Sequence, residues 1–78
     1  MTDTSDEIFM RAALEEARKG RYIAPPNPAV GCVIVKDGQI VSRGYTHAPG
    51  SQHAEIDAIM NAKQAGIDIT GATYYVTL

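Results

Sequence analysis

The stretch that most limits the fold is Ala29-Val30-Gly31-Cys32-Val33-Ile34-Val35, a continuous apolar run that ends in β-branched residues. A run of this length and type suits a strand buried on both faces, and therefore one central in its sheet. Asp37-Gly38 follows at once and is flanked by apolar residues, the strongest short-range hairpin signal in the chain. Ile40 to Tyr45 is thus expected to return antiparallel to the first strand. Gly31 and Gly44 mark the places in these two strands where a ligand or another backbone can come close. Cys32 lies inside the run and reads as a core residue rather than a metal ligand.

Two helices flank the hairpin in the chain. Thr4-Ser5-Asp6-Glu7 has the form of a capping box. Phe9, Met10, Ala13, Leu14 and Ala17 then make an apolar stripe, Arg18 and Lys19 suit the negative end of the dipole, and Gly20 ends the helix. The stretch Arg21 to Pro28 contains three prolines, which hold the backbone extended and present Asn27 in a nearly fixed direction. Asn27 reads either as a turn asparagine or as an amide offered to a ligand. A second helix of about three turns is expected from His53, with Ile56, Ile59 and Met60 at apolar spacing, Lys63 near its end and Gly66 as its C-cap. Ile67 to Gly71 form a connection, and Thr73 to Leu78 have strong β-propensity. The order is α-β-β-α-β. The last strand follows a helical crossover, so it is expected to run parallel to a neighbour in a mixed sheet.

At 78 residues the chain is at most one small domain, and a domain of that size buries only about 60% of its unfolded surface. A formal net charge of −2, from seven basic and nine acidic residues spread along the chain, supplies neither a basic stripe for nucleic acid nor a polybasic membrane patch. One cysteine makes no disulfide framework and fits a reducing compartment. The N-terminus is acidic rather than secretory in pattern, and no apolar run approaches the roughly 18 residues of a membrane span. A cytoplasmic protein is expected.

The residues that can carry chemistry gather around His53-Ala54-Glu55. In mid-helix, side chains two apart point in nearly opposite directions. In the first turn they can both reach a small site just beyond the helix end. His-x-Glu is half of the signature of zinc deaminases, in which the glutamate is a general acid/base and not a ligand. Alone, the tripeptide reads more readily as a surface histidine with a glutamate that favours the helix dipole. His47, in the loop that ends at His53, is equally open to a solvated reading and to one that lines the same site.

The wider pattern decides between these readings. Pro26-Asn27-Pro28, Val30-Gly31, Val33-Ile34-Val35-Lys36-Asp37-Gly38, Ile40-Val41, then Gly44-Tyr45-Thr46, Gly50 with His53-Ala54-Glu55, and Gly71-Ala72 with Tyr74-Tyr75-Val76-Thr77-Leu78 together resemble the cytidine deaminase superfamily. Within it they are similar to the N-terminal part of the deaminase domain of the bifunctional riboflavin-biosynthesis deaminase/reductase. The resemblance implies a cytidine-deaminase-like three-layer α/β/α sandwich, present in part, with residues 1–78 as the N-terminal portion of one CMP/dCMP-type deaminase domain. It implies zinc as the cofactor, His53 as a zinc ligand, Glu55 as the proton shuttle and Asn27 in the pyrimidine pocket. Relatives place a substrate-contacting histidine directly after Gly-Tyr; here Thr46 holds that place and His47 follows, so both are candidates for substrate binding. The implied substrate is a diaminohydroxy-pyrimidine bearing a ribosylamino phosphate, deaminated by hydrolysis. The implied assembly is a homo-oligomer of the complete protein, with no nucleic-acid or membrane partner. The family completes its metal site with Glu-Pro-Cys after Val-Thr-Leu and with a further cysteine, so the remaining ligands are expected beyond Leu78 and the 78-residue chain alone is expected to be inactive. A sister deaminase acting on tRNA adenosine or on a free nucleobase or nucleoside is the enzymatic alternative, and a non-catalytic interaction module is the other.

Overall fold

The computed structural model describes residues 5–20, 30–46 and 54–77. Five elements follow one another: α1 (Ser5–Gly20), β1 (Gly31–Lys36), β2 (Gln39–Tyr45), α2 (Ala54–Gln64) and β3 (Thr73–Val76). Thr4, Asn27, His47, His53 and Leu78 lie outside the described residues.

The Asp-Gly signal produces the expected hairpin. Asp37 and Gly38 both have positive φ, 54° and 76°, the combination that matches the twist of two tightly joined antiparallel strands. Lys36 opposes Gln39 and Gly31 opposes Tyr45, with one shift of register between Ile34 and Val35. β1 is the central strand of the order β2-β1-β3, and Cys32, Val33 and Ile34 are fully buried. Alternate residues of β1 serve two cores. Val33 and Val35 join Ala13 of α1, with Phe9 and Tyr75 packed against them. Cys32 and Ile34 join Ala54 and Ala58 of α2. A strand with a period of two and apolar residues at every position has apolar surface on both faces, and the two helices cover one face each.

β3 departs from the sequence expectation. It pairs antiparallel with β1, Cys32 opposite Val76 and Val35 opposite Thr73, so among the described residues no neighbouring strands are parallel and the sheet is antiparallel rather than mixed. β2 and β3 do run in the same direction, as a helical connection between them requires, but β1 lies between them. The crossover through α2 spans from one edge of the sheet to the other instead of joining adjacent strands.

The helices also dock differently from the pattern of large apolar residues. On α1 the sheet-facing residues are Ala13 and Ala17, with Phe9 partly buried, while Leu14 is 49% exposed and Met10 36%. On α2 they are Ala54, Ala58 and Ala62, all fully buried, while Ile56 is 42% exposed and Met60 40%. The cause lies in the two strand glycines. A Cβ built on Gly44 would overlap the backbone nitrogen of Ala58 and lie 2.5 Å from the carbonyl oxygen of Ala54. One built on Gly31 would overlap the carbonyl of Ala13 and lie 2.5 Å from the nitrogen of Ala17. Both helices rest their backbones directly on the strands, and at that distance only alanine fits between. Met10, Leu14, Ile56 and Met60 are displaced to the flanks, whereas Phe9 and Ile59 pack partly buried against the two cores as the spacing predicts.

Polar ties complete the packing. The buried Glu16 of α1 pairs with Lys19 at 2.9 Å and reaches Arg43 of β2 at 3.4 Å. The Tyr75 hydroxyl donates to Asp6, and its ring lies 5.3 Å from that of Phe9. α2 ends as expected at Gly66, which has a φ of 73°. The Gly66 N–H donates to the Lys63 carbonyl and the Ile67 N–H to that of Ala62, the paired bonds of a Schellman cap.

The close approach sets a testable stability. Gly44→Ala is expected to lower the unfolding free energy by about 1–3 kcal/mol, the usual cost of overpacking, read from the midpoint of chemical denaturation. A neutral substitution would mean that α2 does not lie at this distance from β2.

Candidate functional site

The N-terminal end of α2 lies at the carboxyl end of β2, because Ala54 rests on Gly44 and the helix then runs back along the strand towards Arg43 and Ser42. β3 ends beside it. Val76 opposes Cys32, and Thr77 continues to Gly31 with two bonds. The Thr77 N–H donates to the Gly31 carbonyl at 2.9 Å, but the Gly31 N–H donates to the Thr77 hydroxyl oxygen, not to its carbonyl. The threonine side chain thereby stands in for a rung of the ladder at the point where the chain leaves the sheet. On the other side of β1, the Thr46 N–H donates to the Val30 carbonyl at 3.0 Å. Two strand carboxyl ends and a helix N-terminus thus meet at the start of β1. The carboxyl ends of strands are where α/β folds place ligands, and the helix end adds a positive dipole.

Glu55 is in the first turn of α2 and half-buried. Cys32 lies beneath it on β1: burial, and to a smaller degree the negative charge of Glu55, push its thiol up to about 11. A thiol with that pKa is neutral at physiological pH and a poor nucleophile, which agrees with the reading of Cys32 as core. Thr46 is half-buried at the end of β2. Of the sequence-derived candidates, Glu55 and Thr46 are therefore described, whereas His53, which directly precedes the helix, and Asn27 and His47 are outside the described residues. Among the described residues, no group of three His, Cys, Asp or Glu side chains is gathered to hold a metal ion.

The sequence did not single out the residues that fix α2 to β2. The Tyr45 N–H donates to an Asp57 carboxylate oxygen at 3.0 Å, the Ser42 hydroxyl donates to the Ala58 carbonyl at 2.7 Å, and the Asn61 amide donates to the Arg43 carbonyl at 2.8 Å. The spacing of Asp57 and Asn61, one helical turn apart, was a signal for a shared face. Asp57 instead reads in sequence as an ordinary first-turn acid.

The chain belongs to the cytidine and deoxycytidylate deaminase family, whose zinc-binding region matches residues 3–78. It is 52% identical to the riboflavin biosynthesis protein RibD of Escherichia coli over 73 residues, which are 94% of this chain and 19% of that protein. It is 43% identical to the diaminohydroxyphosphoribosylamino-pyrimidine deaminase of Buchnera aphidicola over 95% of this chain and 48% of that protein. A crystal structure of the diaminohydroxyphosphoribosylaminopyrimidine deaminase/5-amino-6-(5-phosphoribosylamino)uracil reductase of Thermotoga maritima superposes with a TM-score of 0.84 at 44% identity, over 94% of this chain and 21% of that one. The chain thus spans about one-fifth of the length of the E. coli and T. maritima proteins and about half that of the B. aphidicola enzyme.

Burial of Cys32 gives a pH dependence with a definite sign. The thiol is raised from 9.0 to about 11 in the folded state, so the unfolded chain loses its proton first. Stability from this group is constant below about pH 9 and falls as pH rises from there to about 11, with a slope of about 1.4 kcal/mol per pH unit. Denaturation midpoints of the wild type and Cys32→Ala across that range would check it: the alkaline slope should be smaller in the variant. An equal slope in both would place the titration elsewhere.

Proposed function

We propose that this chain is the N-terminal part of a zinc-dependent deaminase that hydrolyses a diaminohydroxy-pyrimidine ribosylamino phosphate to the corresponding aminouracil and ammonia. The observation that carries the reading is Glu55, half-buried in the first turn of α2 beside the carboxyl ends of β2 and β3, in a chain whose family is a zinc-binding one. The names of the E. coli and B. aphidicola relatives support the pyrimidine of riboflavin biosynthesis as the substrate.

Each residue has a role in this reading. His53, one residue before Ala54, supplies an imidazole for the metal, and the site takes its other protein ligands from outside the described residues; catalytic zinc uses three and leaves a fourth position open. Zinc, when bound, lowers the pKa of a water to about 7 and so supplies a nucleophile at neutral pH. Glu55 accepts one proton of the attacking water and gives it to the ring nitrogen, then accepts the second from the hydroxyl of the tetrahedral adduct and gives it to the leaving amine as the C–N bond breaks. Its carboxylate is not consumed, since each turnover gains and loses two protons. Asn27, held between two prolines, offers an amide donor and acceptor to the pyrimidine edge, and Thr46 and His47 contact the substrate from the loop after β2. Thr46 supports this assignment by its half-buried position at the end of β2.

The complete protein is read as a cytoplasmic homo-oligomer with no nucleic-acid or membrane partner. The formal charge of −2 supports the absence of both, and among the described residues no helix is long and apolar enough to cross a membrane. The exposed Ile56 and Met60 of α2 support association.

Zinc content measured beside turnover tests the assignment in the deaminase that carries this chain. Glu55→Gln is expected to keep its zinc and lose about 10²–10⁴ in kcat, the usual size of an acid–base contribution. His53→Ala is expected to lose zinc together with activity. Loss of zinc from Glu55→Gln would make the glutamate a ligand and contradict its role as proton shuttle.

A further inference from the structure

The three polar contacts between α2 and β2 are not equivalent. The Thr46 N–H bonds to Val30 in the ladder, and antiparallel strands alternate residues that face the partner with residues that face away. Tyr45 and Arg43 therefore turn their N–H and C=O groups away from β1, towards the open edge of the sheet. α2 covers both: Asp57 accepts from the Tyr45 N–H at 3.0 Å, and the Asn61 amide donates to the Arg43 carbonyl at 2.8 Å. Asn61 acts in the second turn of the helix. Asp57 acts in the first, two residues from Glu55.

The packing of Ala54 and Ala58 on Gly44 fixes how near the helix lies, but alanine against glycine is smooth and holds rotation about the helix axis only weakly. A directional bond in the first turn holds it. The carboxylate of a helix residue lies roughly 5–6 Å from the axis, so a turn of about 10° moves it by about 1 Å, and a misplacement of that size can cost about 10²-fold in rate.

We infer that Asp57 is a positioning residue for Glu55: its carboxylate, bonded to the Tyr45 N–H, sets the rotation of the first turn of α2 and so the place of the Glu55 carboxylate. The inference rests on the reading of Glu55 as the proton shuttle. A plain structural or dipole role for Asp57 gives different results, because geometry and charge can be separated. Asparagine keeps an oxygen at the bonding distance and loses the charge. Glutamate keeps the charge and carries it one methylene too far.

Steady-state kinetics, zinc content and melting temperature of Asp57→Ala, Asp57→Asn, Asp57→Glu and Asn61→Ala, in the deaminase that carries this chain, test it. Asp57→Ala and Asp57→Glu are expected to keep zinc and lose about tenfold to a hundredfold in kcat, with KM less affected. Asp57→Asn should rescue most of that loss, to within about threefold of wild type, and Asn61→Ala should melt earlier with kcat within the same range. If Asp57→Ala does not fold, the contrast between the asparagine and glutamate variants carries the test alone. Equal loss in Asp57→Asn and Asp57→Ala, full activity in Asp57→Glu, or equal loss in Asn61→Ala would each overturn the positioning role. Full activity in Glu55→Gln would overturn the acid–base reading itself, and it is read from that variant without reference to Asp57.

Discussion

The site depends on how closely a helix backbone can lie against a strand. At Gly44 the strand offers no side chain, and the backbone of α2 occupies the space where one would be. That contact brings Ala54 and Ala58 into the core with Cys32 and Ile34. It also draws the first turn of α2, and Glu55 with it, down to the end of β2. A larger residue at Gly44 would lift the helix by the width of a methyl group or more. Gly31 does the same for α1 on the opposite face, so the sheet is held between two helices that both approach at the limit of contact.

Polar contacts then set what apolar packing leaves free. Ser42, Asp57 and Asn61 tie α2 to β2 through one backbone group each, and Thr77 uses its hydroxyl to finish the ladder at Gly31. No buried side-chain polar atom among the described residues lacks a hydrogen-bond partner, as expected where an unpaired group would cost about 1–3 kcal/mol. The result is a fixed floor under the helix terminus. Within it the buried Cys32 thiol is neutral at physiological pH, since burial pushes it up to about 11.

Much of this was legible in the residues. The seven-residue run around Val33 read as a doubly buried central strand, Asp37-Gly38 as a tight hairpin, and Gly66 as a helix cap, because each is a local rule with one dominant cause. Gly31 and Gly44 were recognised as places of close approach, but the sequence left open whether a ligand or a backbone comes close. That gap explains the misreading of the helices. Hydrophobic periodicity ranks Leu14, Ile56 and Met60 above alanine, whereas only alanine fits directly between a helix and the strand glycine it rests on, and Phe9 and Ile59 pack beside that contact. The direction of β3 was missed for a different reason: a crossover fixes the direction of β3 relative to β2, not which strand it will neighbour. Of the candidate site, His-x-Glu and the family pattern pointed to Glu55, and the structure places it in the first turn of α2. Asp57 was not legible, since its bond to the Tyr45 N–H spans twelve residues and follows only from where α2 docks.

The most direct test of where the chemistry occurs is a crystal structure of the deaminase carrying this chain with a pyrimidine inhibitor bound. The account predicts the ring at the N-terminal end of α2, with a ring nitrogen about 2.6–3.2 Å from the Glu55 carboxylate, the range proton transfer requires. A ring seated away from the carboxyl ends of β2 and β3, with Glu55 facing solvent, would contradict it.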